Sequence, residues 1–288
     1  MRIVSFGPAG QERPGVLLDD DGLLDLQIAD PSMPAGWRAI LAADRLDEVR
    51  RIVARAPRTG PAVRARAGVR LGPPVCDPSK IICIGLNYAD HAAEQNKPLP
   101  ATPLLFAKAP TALTGDGDPI VLPAIEPRVD IEAELAFVIG RRARQVRAED
   151  AWGHVAGYMC FNDVSGRLAQ YDDKQWFRGK SFDTFAPCGP WMVTRDEIAD
   201  PHALAIGSSV DDFVLQDSNT NQLVHRVPQL VEYVSHSMTL LPGDIVATGT
   251  PAGVGVFRNP PRFLRAGQQV TIRIEKLGAL SNPVVAAT

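Results

Sequence analysis

The stretch VDIEAELAFVIG, residues 129–140, contains three acids in a segment that otherwise reads as a buried strand. Asp130, Glu132 and Glu134 stand at alternate positions. Because successive side chains of a strand point to opposite faces, the three carboxylates are predicted to line one face. Like charges this close oppose folding unless a cation or several positive partners lie among them. The stretch therefore predicts a bound divalent metal ion.

Length and composition restrict the classes to which the chain can belong. Its 288 residues, 45% hydrophobic and 22% charged with a formal net charge of -3, suit one large globular domain or a large domain with a smaller one attached. The basic residues are scattered apart from short groups such as GRRARQVR, so nucleic acid is not an expected partner. There is no apolar run near the roughly 20 residues that span a bilayer and no signal-peptide pattern, so we expect no membrane partner and a cytoplasmic location.

The pattern of apolar runs predicts an α+β fold that is mainly β. Residues 1–75 begin with the strand-like pieces RIVSFG and GVLLDD and continue through the helical stretch GWRAILAADRLDEVRRIVARA, which predicts a small amino-terminal α/β domain. In residues 76–288 short apolar runs such as IICIGL, AELAFVIG and QVTIRIEKLG alternate with turns rich in Gly, Pro, Asn and Asp. Two candidate helices lie near ADHAAEQN and RAEDAWGHVAGYM.

A candidate acid-base pair lies in GLNYADHAAEQNKPLP, where a strand is predicted to end and a short helix to begin. His91 and Glu94 are three residues apart and are neighbours on a helix, so the carboxylate can orient the imidazole and raise its basicity. An imidazole held in this way is suited to deprotonating water. The alternative is that Glu94 is a solvated helix residue and His91 caps a turn.

Three more polar residues stand in apolar settings. Asp163 can complete a three-carboxylate set with Glu132 and Glu134, and such oxygen ligands suit Mg²⁺ or Mn²⁺ better than Zn²⁺; alternatively, it caps the following helix. Lys180 can be the charge partner of a carboxylate or enolate, although lysines beside strands are more often solvated. The segment GTPAGVG lacks nucleotide-binding spacing, and Thr250 with nearby backbone N–H groups can bind a substrate carboxylate.

Six motifs occur in a fixed order, and together they carry a resemblance to a known family: GLNYADHAAE, FAKAPTALTG, VDIEAELAFVIG, FNDVSGRLAQ, RGKSFDTFAPCGP and LLPGDIVATGTPAGVG. Over residues 75–285 the chain resembles the fumarylacetoacetate hydrolase superfamily. The resemblance implies a mixed β-roll core, an Mg²⁺ or Mn²⁺ ion and a homodimer. The amino-terminal residues and RGKSFDTFAPCGPWMVT are similar to a branch known as ureidoglycolate lyases or as hydrolases of 2,4-diketo-3-deoxy-L-rhamnonate or L-fuconate.

The same resemblance implies roles for individual positions. It implies that the metal ligands are Glu132, Glu134 and Asp163, with Asp130 as a supporting acid. It implies that the catalytic residues are His91 and Glu94, carried on a flexible lid, together with Lys180. The positions that it implies for substrate binding are Lys108, Arg167, Gln170, Tyr171 and Thr250.

The expected function is hydrolysis of the C3–C4 bond of a 2,4-dioxo acid such as 2,4-diketo-3-deoxy-L-rhamnonate, giving pyruvate and lactate. The C1 carboxylate and C2 oxygen would chelate the metal, and His91 would deprotonate the water that attacks C4. Lys180 and the metal would stabilise the pyruvate enolate. One alternative is an oxaloacetate decarboxylase or hydroxymuconate-type isomerase at the same site, which needs no attacking water. Another is a catalytically silent metal-binding or sugar-acid-binding protein.

Overall fold

The computed structural model describes residues 1–18 and 21–287. Within these residues the strands are β1 (Arg2–Phe6), β2 (Arg13–Leu17), β3 (Gly22–Asp25), β4 (Val63–Ala65), β5 (Leu71–Gly72), β6 (Ile81–Gly85), β7 (Leu104–Lys108), β8 (Leu113–Thr114), β9 (Ile120–Leu122), β10 (Val129–Asp130), β11 (Ala133–Ile139), β12 (Val155–Asn162), β13 (Ser165–Gly166), β14 (Ala186–Thr194), β15 (Ala205–Val210), β16 (Phe213–Asn219), β17 (Ile245–Ala247), β18 (Gln269–Ile274) and β19 (Gly278–Ala286).

The same residues contain fewer helices than strands. The α-helices are α1 (Leu26–Ala29), α2 (Trp37–Ala42), α3 (Leu46–Arg55), α4 (Ala89–Glu94), α5 (Arg167–Asp172), α6 (Phe177–Lys180) and α7 (Val227–Ser237). The 3₁₀-helices are Pro110–Ala112, Ala148–His154, Arg195–Glu197, Thr220–Gln222 and Gly255–Phe257. The α+β, mainly β fold that the sequence predicts is confirmed. None of the helices in these residues is long and apolar enough to cross a membrane.

Two large sheets organise the described residues, and a third sheet consists of the short pair β10-β13. The larger runs in the order β4-β3-β2-β1-β14-β12-β11-β17-β6-β7, with β5 paired to β1 and β8 to β14. Most of its pairs are antiparallel, but β17 and β6 are parallel, so the sheet is mixed. The second sheet runs in the order β16-β15-β18-β19-β9. Its inward side chains share one apolar core with those of the larger sheet.

Strand β11 is buried on both faces, which explains its nearly continuous apolar sequence. Leu135, Phe137 and Ile139 belong to the core shared with the second sheet. Ala136 and Val138 point the other way, into the core that the amino-terminal helices cover. A strand between two cores needs apolar residues at every position, so a charged residue at its end requires a specific partner.

The amino-terminal segment extends the larger sheet. Strand β1 pairs with β14, and Ile3 and Trp37 belong to the same core cluster as Ile81 and Met159. The predicted strand pieces at the amino terminus are present as β1 and β2. Positions 19 and 20 of the piece GVLLDD, and position 288 at the end of the second predicted domain, lie outside the described residues. The division into domains 1–75 and 76–288 stays a prediction.

The helix predictions are only partly correct. The helix near ADHAAEQN is present as α4, and the amino-terminal helical stretch forms α2 and α3. The prediction near RAEDAWGHVAGYM is wrong in its second half, because the 3₁₀-helix Ala148–His154 gives way to β12. Its residues pair with β11 on one side and β14 on the other, and these two ladders outweigh the local helical pattern. Helix α7, which the sequence analysis missed, carries the apolar spacing of Val227, Leu230, Val231 and Val234.

Because β1 and the amino-terminal helices complete the larger sheet and its core, we expect the fragment 76–288 not to fold by itself. The fragment would expose the β14 edge and the apolar surface that Ile3 and Trp37 cover. Thermal unfolding followed by circular dichroism should show a cooperative transition for the full chain only. A fragment with the same cooperative transition would instead establish an independent domain at 76–288.

Candidate active site

Three buried carboxylates meet at the place where β11 begins and the neighbouring strand β12 ends. Glu132, Glu134 and Asp163 each place a carboxylate oxygen within 4.8 Å of the others. Strand β11 carries Glu134, and β12 ends immediately before Asp163, whose N–H donates to the Glu132 carbonyl oxygen at 2.9 Å. Among the residues that the structure describes, no other group of three His, Cys, Asp or Glu side chains comes this close.

The acidic stretch is not one continuous strand. Strand β10 ends at Asp130 and β11 begins at Ala133. Between them the N–H of Glu132 donates to Asn162 Oδ1 at 3.2 Å, and the N–H of Ala133 donates to Gln216 Oε1 at 2.8 Å. Side chains therefore replace a strand partner at this break, and Asp130 does not join the cluster. The prediction that all three acids line one face is wrong for this reason.

Asp130 instead anchors an arginine beside the cluster. Its carboxylate accepts hydrogen bonds from the backbone N–H groups of Gly255 and Val256 at 3.0 and 2.9 Å. It also accepts from Arg167 Nε and Nη2 at 3.1 and 2.9 Å. Arg167 Nη2 lies 2.7 Å from Glu132 Oε1. Asp130 therefore holds the guanidinium against a carboxylate of the cluster.

Two buried lysines contact the same carboxylates. Lys180 Nζ donates to Glu132 Oε2 at 2.8 Å and to Asp163 Oδ2 at 2.6 Å. Lys108 Nζ donates to Asp163 Oδ1 at 2.6 Å. Helix α5 begins four residues after Asp163, so this carboxylate is not a helix cap. Burial would lower the pKa of Lys180, but the charges of Asp163 and Glu132 outweigh it and raise this pKa, so the ammonium stays charged.

Glu134 is the member of the cluster with no ion pair among the described residues; its Oε2 accepts a hydrogen bond from the Gly249 N–H at 2.9 Å. Burial and the negative charges of Asp163 and Glu132 raise the pKa of Glu134 well above its usual range. For Glu132 the effect of burial is outweighed by Lys180, and its pKa lies below the usual range. Glu134 therefore lacks a cationic partner among the described residues, and its charged form is disfavoured without one. A divalent cation fits there, and the all-carboxylate donor set suits Mg²⁺ or Mn²⁺.

The predicted dyad is assembled beside this cluster. His91 Nδ1 lies 3.0 Å from Glu94 Oε2, and the imidazole packs edge-on against Phe257. Glu94 Oε1 accepts from the Gly253 N–H at 2.9 Å. Gly253 has a φ of +103°, and a Cβ there would lie 2.2 Å from the Leu215 carbonyl oxygen, so glycine is required to present this N–H. Glu94 is held from both sides, and the alternative of a solvated helix residue does not hold.

Most of the predicted site residues line one cavity of about 550 Å³. They are His91, Glu94, Glu132, Glu134, Arg167, Gln170, Tyr171, Lys180 and Thr250. Lys108 and Asp163 are fully buried behind this wall. The Thr250 hydroxyl donates to the Ala133 carbonyl oxygen at 2.9 Å and accepts from Gln216 Nε2 at 2.7 Å, so its hydrogen is directed at the backbone. The assignments of Lys108 and Thr250 to substrate binding stay predictions.

The cavity lining also includes residues that were not assigned to the site from the sequence: Gln95, Lys97, Phe106, Trp176 and Phe257, together with Ile84, Gly85 and Leu86. For Gln95 a signal was present, because it follows His91 by four residues on a predicted helix and must share its face. The three aromatic residues lie on β7, just before α6 and on the 3₁₀-helix Gly255–Phe257. Their convergence depends on long-range packing and has no local signature.

A buried three-carboxylate cluster and an imidazole-carboxylate pair that line one cavity are typical of an enzyme that acts on small molecules with a bound metal ion. Residues 80–285 match the sequence model described as the fumarylacetoacetate (FAA) hydrolase C-terminal family. The chain belongs to this family, as the six motifs predict.

Relatives of the chain differ in their reactions. The chain is 45% identical over 290 residues to the oxaloacetate tautomerase fahd2, mitochondrial, of Xenopus laevis, covering 99% of this chain and 90% of that protein. It is 33% identical to maleylpyruvate hydrolase from Sphingobium sp. SYK-6, solved with manganese(II) and pyruvate, at a TM-score of 0.83 and full coverage of both chains. It is 36% identical to 5-carboxymethyl-2-hydroxymuconate delta-isomerase from Mycobacterium smegmatis, at a TM-score of 0.79 and full coverage of both.

These relatives support the superfamily and an enzymatic function. They give no support to the sugar-acid branch, and the expected homodimer stays a prediction. The Xenopus relative is named as mitochondrial, so the expected cytoplasmic location is not supported either.

Replacing Glu134 with Gln should separate metal binding from folding. The amide oxygen can still accept the Gly249 N–H, but the ionisable carboxylate that would bind the cation is lost. Since the pKa of Glu134 is raised in the folded state, its ionisation at neutral pH opposes folding. We therefore expect the unfolding temperature in EDTA to stay the same or rise, while Mn²⁺ affinity falls about 100-fold or more.

Calorimetric titration with Mn²⁺ and thermal unfolding with and without the ion measure both effects. The matched control is Glu149→Gln, which removes an exposed carboxylate far from the cluster. Unchanged Mn²⁺ affinity in Glu134→Gln would rule out this cluster as the metal site.

Proposed function

We propose that the chain catalyses the keto-enol tautomerisation of oxaloacetate or a closely similar 2-oxo dicarboxylate. The observation that carries the proposal is the placement of the His91-Glu94 pair and the carboxylate cluster on one cavity. It is supported by the similarity, over 99% of the chain, to an oxaloacetate tautomerase. This function is closest to the alternative in which the site moves a proton and needs no attacking water.

The hydrogen bond between His91 and Glu94 orients the imidazole for proton transfer. The Glu94 carboxylate can only accept, so the proton of the neutral imidazole resides on Nδ1 and the lone pair on Nε2. His91 Nε2 would take a proton from C3 of the keto form or return one to C3 of the enol, while Glu94 stabilises the imidazolium. In the enol-to-keto direction the enol hydroxyl releases its proton to solvent, and His91, after taking a proton from solvent, donates it to C3; the keto-to-enol direction is the reverse.

The cluster side would stabilise negative charge at the C2 oxygen. A bound Mg²⁺ or Mn²⁺, held by Glu132, Glu134 and Asp163, would supply Lewis acidity there. Lys180, charged because Glu132 and Asp163 raise its pKa, would act as a fixed positive charge and not as a base. Arg167, held by Asp130, would orient Glu132, and Gln170 and Tyr171 would contact the substrate.

Hydrolysis of a 2,4-dioxo acid is the second candidate. The same His91 Nε2 can deprotonate a water, and a relative with a TM-score of 0.83 is named as a maleylpyruvate hydrolase. A 2,4-diketo-3-deoxy-sugar acid such as the L-rhamnonate compound would be its substrate. The two candidates differ in whether a water or C3 of the substrate lies next to His91.

We expect the Mg²⁺-loaded protein to accelerate the conversion of enol-oxaloacetate to the keto form, measured by loss of enol absorbance, and EDTA to abolish this activity. His91→Asn should lower kcat about 100-fold or more, because the positioned base is lost. The matched control is His236→Asn, an exposed residue outside the cavity.

Pyruvate release should be measured in parallel on acylpyruvates, 2,4-diketo-3-deoxy-L-rhamnonate and oxaloacetate. If the protein releases pyruvate and lactate from the sugar acid only with bound metal, and does not tautomerise oxaloacetate, it is a hydrolase and not a tautomerase. Pyruvate and CO₂ from oxaloacetate would identify a decarboxylase.

A further inference from the structure

The nitrogen on which the proposed chemistry depends is already hydrogen-bonded. His91 Nε2 lies 2.8 Å from Gln95 Nε2, and because the imidazole proton is on Nδ1, the Gln95 amide donates this bond. The lone pair of Nε2 can accept only one proton at a time. His91 therefore cannot take a proton from substrate or water while Gln95 occupies it.

Gln95 must find another acceptor before His91 can act. Its side chain is half-buried on the cavity wall, where an amide N–H without a partner is unfavourable. A carboxylate accepts such a bond strongly because it is charged and has only acceptor sites, whereas a methyl or phenyl group offers none. A ligand with a carboxylate near Gln95 would thus draw the amide away from His91.

Lys97 supplies a positive charge at the same end of the cavity. It lines the cavity two residues beyond Gln95, and its backbone N–H donates to the Ala92 carbonyl oxygen at 2.9 Å. The other cationic side chains of the lining, Arg167 and Lys180, are paired with acids. No acid among the described residues pairs with Lys97. Its charge is therefore available to a ligand.

We propose that Gln95 and Lys97 form a subsite for the distal carboxylate of a 2-oxo dicarboxylate, and that this carboxylate releases His91 by taking over the Gln95 hydrogen bond. A substrate with two carboxylates thereby activates the base, whereas a monocarboxylic 2-oxo acid leaves it blocked. The inference rests on the proposed function for the reaction that follows. Gln95 acts through His91 and is a positioning residue, and Lys97 determines specificity.

The kinetic test compares enol-oxaloacetate with enol-phenylpyruvate, which carries a phenyl group in place of the distal carboxylate. Lys97→Met should raise KM for oxaloacetate about tenfold, the size of one lost charge-assisted hydrogen bond, and leave KM for phenylpyruvate unchanged. Gln95→Met should raise kcat on phenylpyruvate, because nothing then blocks Nε2. Lys276→Met, which removes an exposed lysine outside the cavity, is the control.

A binding experiment tests the subsite without requiring turnover. Calorimetry on the Mg²⁺-loaded protein compares malate with 2-hydroxybutyrate, which has the same carbon chain and a methyl group in place of the distal carboxylate. The wild-type protein should prefer malate, and Lys97→Met should lose about tenfold in malate affinity alone.

The outcomes separate the two proposals. A preference for malate that depends on Lys97, in a protein that does not tautomerise oxaloacetate, would overturn the proposed function and uphold the subsite. The subsite would be overturned if Lys97→Met changed the affinities for malate and 2-hydroxybutyrate equally, or changed neither of them. A fall in kcat on phenylpyruvate in Gln95→Met would also overturn it. Each result would count against the subsite even if tautomerisation is observed.

Discussion

Buried charge at the centre of the molecule is the constraint on which the rest of this structure depends. Four buried carboxylates, those of Asp130, Glu132, Glu134 and Asp163, meet three buried cations, those of Lys108, Arg167 and Lys180. A buried charge without a partner destabilises a protein strongly, so each of these side chains needs a defined neighbour. Each of these acids except Glu134 forms an ion pair with one or more of the three cations. Because Glu134 has no cationic partner among the described residues, the cluster is not a closed ion-pair network and could hold a metal ion.

The fold holds these charges in place by packing two cores against the strands that carry them. Ala133 lies opposite Asn162 in the β11-β12 pair, so the acids that flank these residues are brought side by side. The loop around the 3₁₀-helix Gly255–Phe257 then joins the two halves of the site. Its backbone N–H groups bind Asp130 behind the cluster, and nearby Gly253 binds Glu94 of the dyad. A shift of this loop would therefore disturb Glu94 of the dyad and, through Asp130, the arginine that lies against Glu132.

The same set of polar groups can serve several reactions, and this is why the family was easier to infer than the activity. A carboxylate-bound cation and an oriented imidazole stabilise an enolate however it is formed. A tautomerase and a hydrolase of this kind differ in which atom lies beside His91 Nε2, and Gln95, on the segment after α4, is a side chain that contacts this nitrogen. The relatives give more support to the alternative reactions at this site than to hydrolysis of a rhamnonate compound.

The sequence by itself determined the β-rich class, the pairing of His91 with Glu94 and the membership of Glu132, Glu134 and Asp163 in one set. Each follows from short-range periodicity or from motif order along the chain. Only the tertiary structure decided that Asp130 leaves the cluster, that Lys108 lies behind it and that the Gln95 amide lies against His91 Nε2. The physical reason is that these outcomes depend on contacts between distant segments. A break in the β-ladder or a buried ion pair has no local pattern from which it could be read.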